Sequence, residues 1–138
     1  MKDLKHYIVL SISTTFSVIG TYLLIQSFIS PDTSIGQQEL FKDRFINLSG
    51  IIFFGGGAVG YFLLKRQNTN NNTKTGIGIL FSSLGFLLMG LALIIYPEEF
   101  RKGTLFYKYL IGYISFVFSL IGIIIALILI LKRKQNPL

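Results

Sequence analysis

The chain has 138 residues, of which 51% are hydrophobic and 14% charged, and its mean hydropathy is +0.63. A soluble domain carries about 25% charged residues, so this composition excludes a water-covered globule and a disordered chain and points to an integral membrane protein. The net charge of +7 would suggest nucleic-acid binding in a soluble domain. Here the basic residues border apolar stretches, so membrane lipids are the expected partners and nucleic acid is not. With no cysteine and one histidine, no metal site and no thiolate chemistry are expected.

Taken in chain order, four apolar stretches approach or reach the ~20 residues that cross a hydrocarbon core of ~30 Å at 1.5 Å per residue. They run from about Tyr7 to Ile29, Phe45 to Leu64, Gly76 to Tyr96 and Tyr109 to Leu131. None carries Asp, Glu, Lys, Arg or His in its interior. Continuous apolar runs do not show the alternation that a lipid-facing barrel needs. The expected fold is therefore an all-α membrane protein, a single transmembrane domain over 1–138 built as a four-helix bundle.

The first stretch follows Lys2 and Lys5 but ends in Gln26-Ser27-Phe28-Ile29-Ser30-Pro31. It exceeds the 7–15 residues of a signal-peptide apolar region and lacks a small-residue cleavage site, so it is read as a span. Orientation follows the basic residues of the short loops. The N-terminus, the loop with Lys65, Arg66 and Lys74, and the C-terminus with Lys132, Arg133 and Lys134 hold eight of them against Asp3 alone. The other side balances Lys42, Arg44, Arg101, Lys102 and Lys108 with Asp32, Glu39, Asp43, Glu98 and Glu99. Both termini are expected in the cytoplasm. The Asn-rich connector Gln67–Thr73 would then be cytoplasmic too, leaving its Asn71-Asn72-Thr73 acceptor pattern unused. The outer segments Gln37–Arg44 and Glu98–Lys108 mix Leu and Phe with charges, including Glu98 and Lys102 one turn apart. They read either as short interfacial helices or as solvated turns.

The two halves resemble each other. Phe16, Val18, Gly20, Leu23, Leu24 and Ile25 match Phe86, Leu88, Gly90, Leu93, Ile94 and Ile95. Leu40-Phe41 matches Leu105-Phe106, and Gly55 with Leu63–Arg66 matches Gly122 with Ile130–Arg133. The matches suggest two tandem helical hairpins, 1–66 and 76–134, in parallel repeat.

Helices in lipid associate through small residues that let backbones approach. The fourth stretch carries Gly112, Ser115, Ser119, Gly122 and Ala126, and the third carries Gly78, Ser82, Gly85 and Ala92. The second concentrates Gly55, Gly56, Gly57 and Gly60 in barely two turns. Such seams serve either the chain's own packing or a partner helix, and the glycine run is the first candidate for the latter. The hydroxyls of the first stretch, from Ser11 to Thr21, can bond back to carbonyls one turn earlier or line a polar path. Gln26 and Asn47 are candidates to pair between helices. Most tyrosines stand near span ends, as interfacial anchors do. No nucleophile–base pair, paired carboxylates or phosphate-binding loop can be assembled, so no enzyme and no cofactor are expected.

Phe53-Phe54-Gly55 followed by Lys65-Arg66 resembles small bacterial membrane proteins of unknown function. In these a helical hairpin with a Phe-Phe-Gly span and a basic stop precedes a soluble domain that is missing here, so the resemblance implies fold and no activity. In length and helix number the chain also resembles small multidrug-resistance transporters, yet it lacks the glutamate that they place inside the first helix. In size, charge and topology it resembles four-helix bacterial immunity proteins, which implies an inner-membrane protein. The expected function is helix–helix recognition within that membrane, with another membrane protein or a second copy. The roles considered are an accessory subunit or an immunity protein against a membrane-acting toxin. A small passive transporter, pore or lipid-handling protein is the alternative, because none of these strictly requires a charged group at the midplane.

Overall fold

The structure is a computed structural model that describes residues 2–67, 70–100 and 103–132; for Lys2, Asp3, His6, Val59, Tyr61 and Leu63 it describes the backbone alone. Lys102 of the expected Glu98–Lys102 pair, Asn68 and Thr69 of the Asn-rich connector, and Arg133 and Lys134 lie outside the described residues. So do the side chains of Lys2, Asp3 and His6.

Long apolar runs without interior proline fold as helices, and no strand occurs among the described residues. Helix α1 spans Lys2–Ile29, α2 Gln37–Gly50, α3 Gly57–Arg66, α4 Asn71–Ile95 and α5 Leu105–Leu131. Between α2 and α3 the chain stays helical through a π segment, Ile51–Gly56. The second expected span is thus the apolar part of one rod from Gln37 to Arg66, and the segment Gln37–Arg44 is the first two turns of that rod rather than a separate interfacial helix. Three helices are long and apolar enough to cross a membrane: Tyr7–Ile29 within α1, Asn71–Ile95 and Leu105–Leu131.

Local chemistry sets the ends. Pro31 follows α1, whose last turn is extended by the Ser30 amide donating to the Gln26 carbonyl. The Asn70 side chain caps α4 by accepting from the Asn72 amide at 3.2 Å. Beyond α4, Pro97 opens one 3-10 turn, Pro97–Glu99, where the sequence allowed an interfacial helix. Gly103 then takes φ +94, a left-handed turn that a residue without Cβ adopts at little cost, and α5 begins.

The helices stand in a row in chain order: α1 beside the α2–α3 rod, the rod beside α4, and α4 beside α5. The tightest pair is α4 with α5. Among the described residues α1 and α5 do not pack together, so the helices expected to form a four-helix bundle are arranged as an open layer. The reason lies in α4. Gly76, Ser83 and Gly90 face α5, whereas Gly85 meets Ser49 and Phe53 of the rod. Two positions apart on a helix point roughly 200° from each other, so α4 binds its neighbours on opposite sides. The rod does the same, with Ser49 and Phe53 toward α4 and Ile51 and Gly55 toward α1. A layer has no central core: among the described residues the buried apolar side chains are Ala92 and Ala126, and no large side chain is fully buried.

Candidate functional site

The α4–α5 seam is a zipper of small residues. Gly76, Ser83 and Gly90 recur every seventh residue on α4, and Gly112, Ser119 and Ala126 do so in the reverse direction on α5. A Cβ placed on Gly90 would lie 3.0 Å from the Gly112 carbonyl oxygen and 3.1 Å from Ser115 Cβ. One on Gly76 would lie 3.0 Å from the Ala126 carbonyl oxygen, and one on Gly122 would collide with the Ser83 hydroxyl. Ser119 spans its own turn, its hydroxyl donating to the Ser115 carbonyl at 2.6 Å. Backbone meets backbone here because no side chain stands between.

The rod is joined to α4 by the buried Ser49 hydroxyl, which donates to the Gly85 carbonyl at 2.6 Å. Gly56 lies under the Phe81 ring and Gly60 against Ile77, while Gly55 receives Ser17 of α1. A run of stacked and edge-on rings, Phe16–Phe54–Phe53–Phe86, links α1, the rod and α4 with centroids 5.0–5.4 Å apart.

The sequence-derived positions therefore divide. Gly55, Gly56, Gly60, Gly85, Gly112, Ser115, Ser119, Gly122 and Ala126 lie at contacts between neighbouring helices. Gly57 and Gly78 do not, and neither does Gly50: nothing stands within 4 Å of a Cβ at any of the three. On α4, Ser82 is half-buried, Gly85 meets the rod and Ala92 is fully buried, while Gly76, Ser83 and Gly90 form the stripe that faces α5. A groove of about 260 Å³ opens between α4 and α5, lined by Ser83, Phe86, Ile114, Ser115, Phe118 and Ser119. On α1, Thr14, Thr15 and Thr21 donate to the Leu10, Ser11 and Ser17 carbonyls, so these three hydroxyl protons are taken up by the helix itself. The Asn47 carbonyl lies 3.5 Å from a Cβ placed on Gly20 of α1, and among the described residues no side-chain hydrogen bond joins Asn47 to the expected partner Gln26.

A second cluster, at the end that holds the α1–α2 and α4–α5 connections, escaped sequence reasoning. The buried Lys42 ammonium donates to the Glu99 carbonyl at 3.1 Å, with Asp43 at 3.3 Å, Glu39 at 3.8 Å and the Phe100 ring below it. Lys108, also buried, donates to the next carbonyl, that of Phe100. Arg44 donates to the Ser27 carbonyl at 2.7 Å and lies 4.0 Å from the Phe28 ring centroid, capping the carbonyl end of α1. In the α1–α2 connection, the Ser34 hydroxyl and amide both donate to Asp32 and hold its carboxyl below the ordinary carboxylate range. The signal available in sequence was three basic residues among Phe and Leu at helix starts. It could not show that each would face a carbonyl.

No protein-family model matches the chain, and neither a curated protein nor a solved structure does.

Proposed function

We propose that the chain is a small integral inner-membrane protein that crosses the bilayer four times, both termini cytoplasmic, and acts by helix–helix recognition rather than catalysis. The observation that carries this reading is the split among its glycines. Gly55, Gly56 and Gly60 are filled by the chain's own side chains, whereas Gly50, Gly57 and Gly78 face open space within 4 Å. Glycine weakens a helix by about 1 kcal/mol relative to alanine in water, and an open glycine on a half-buried backbone suits the close approach of another helix. The partner class is another membrane protein or a second copy, as an accessory subunit or as an immunity protein against a membrane-acting toxin. No cofactor or metal enters this reading.

The test is affinity purification in mild detergent with mass spectrometry of the co-purifying chains. Gly57→Leu and Gly78→Leu should leave the protein monodisperse and abolish a stoichiometric partner. Unchanged co-purification in both variants overturns the contact surface. The α4–α5 groove, with three serines between Phe86 and Phe118, favours a second reading as a passive lipid-handling or transport protein. Flux or lipid transfer by the pure protein in liposomes would select it.

A further inference from the structure

Both halves of the α2–α3 rod pack against α4, but the polar side-chain ties described for it lie in one half. Arg44 is tied to Ser27, Lys42 to Glu99 and Ser49 to Gly85, and all three residues lie in α2. Among the described side chains of α3 none makes a hydrogen bond or ion pair, and α3 packs on α4 with Gly60 against Ile77 and Phe81. The π segment Ile51–Gly56 stands between the fixed half and the untied half. π geometry is rare, breaks the i→i−4 hydrogen-bond ladder and concentrates at functional positions. It stores one residue more than the α-helix holds over the same rise. Returning that residue to α geometry turns everything beyond it by about 100° and advances it about 1.5 Å.

For most sequences such a turn would drive a new Cβ into the neighbour. Here the residue under the Phe81 ring is Gly56, and both flanking positions, Gly55 and Gly57, are also glycine. A one-residue change of register at this point therefore brings no Cβ under the ring. The glycine run exceeds what the described packing requires, since no described residue stands within 4 Å of a Cβ on Gly57. It leaves room for a register change at the Phe81 ring, whereas at Gly60 the same change sets a Cβ about 3.3 Å from Ile77, which has to give by a few tenths of an ångström.

We infer that Ile51–Gly56 is a hinge with two helical registers, and that α3 turns as a unit against α4 while α2 stays clamped. This reading stands whether or not a partner binds the open glycines. The natural absence of cysteine makes it directly testable by pulsed dipolar spectroscopy of the full chain in lipid nanodiscs. One spin-label pair is Phe62→Cys with Leu120→Cys, from exposed α3 to exposed α5; the reference pair is Leu48→Cys with Leu120→Cys, from α2. A 100° turn moves a point on the rim of a helix 10–12 Å across by roughly 8 Å, so the first pair should give two distances and the second pair one. Deleting Ile52, which removes the stored residue, should leave the first pair a single distance. A single narrow distance in both pairs overturns the hinge, and two distances in both pairs place the motion elsewhere. Two distances that persist in the deletion variant also overturn it. If that variant does not fold, the comparison of the two intact pairs decides the matter.

Discussion

At Gly122 the Ser83 hydroxyl fills the space a side chain would take, and Ser119 is 2% exposed beside it. Filling either position forces α4 and α5 apart, whereas Ile124 is 58% exposed and has room for a change of branching. Gly122→Leu and Ser119→Leu should therefore lower the thermal stability of the detergent-solubilised protein, each by about 1–3 kcal/mol, the usual cost of overpacking. Ile124→Leu should change it by well under 1 kcal/mol, as a volume-conserving exposed swap does. Equal shifts in all three melting curves would show that the zipper does not hold the pair. The small-residue spacing of α5 was legible because it repeats at three and four residues without interruption. On α4 it was not: two stripes share one helix, and sequence spacing alone cannot say which stripe meets which neighbour.

Elements show a similar division. The apolar runs located the helices because each residue in lipid-like surroundings must satisfy its own backbone, and a helix does so locally. The π segment left no periodic trace in Ile51-Ile52-Phe53-Phe54-Gly55-Gly56, which is apolar on every side. Nor did the loop clamps, since a lysine facing a carbonyl looks in sequence like any interfacial lysine. Replacing Lys42 and Lys108 together by Met keeps their bulk and removes both ammonium groups from the Glu99 and Phe100 carbonyls. Each lost charge-assisted bond leaves a carbonyl short of a partner, at about 1–3 kcal/mol. Amide exchange over Tyr96–Phe100 should accelerate at least tenfold while exchange within α4 near Gly85 stays unchanged. Uniform acceleration would mean that the two lysines support the whole molecule rather than this connection.

For the whole molecule, the all-helical class was legible, and the order of packing was not. Four amphipathic seams fit a closed bundle and an open layer equally well; the decision rests on the angle between two stripes on α4. Cysteine cross-linking separates the two. Ser83→Cys with Gly122→Cys should oxidise to a disulfide, since the two Cβ positions lie 3.2 Å apart, near the separation that such a bond needs. Val18→Cys with Ile121→Cys, on α1 and α5, should stay reduced under the same conditions and would link readily in a closed bundle. Orientation has its own test: a reporter fused after Leu138 should be active only in its cytoplasmic form, because eight basic residues mark that side. Activity of a periplasmic reporter there would reverse the topology.

Because spatial order in the layer follows chain order, no helix waits for a distant partner. During synthesis each hairpin arm leaves the ribosome next to the surface it will occupy, and the entropy of closing long loops barely enters. Assembly can then proceed in the direction of translation, with α1 and the rod joined before α4 exists and α5 arriving last onto a prepared stripe. In a protein arranged in this way the order of synthesis is also the order of packing, and its two outer edges are the first and last surfaces to be made.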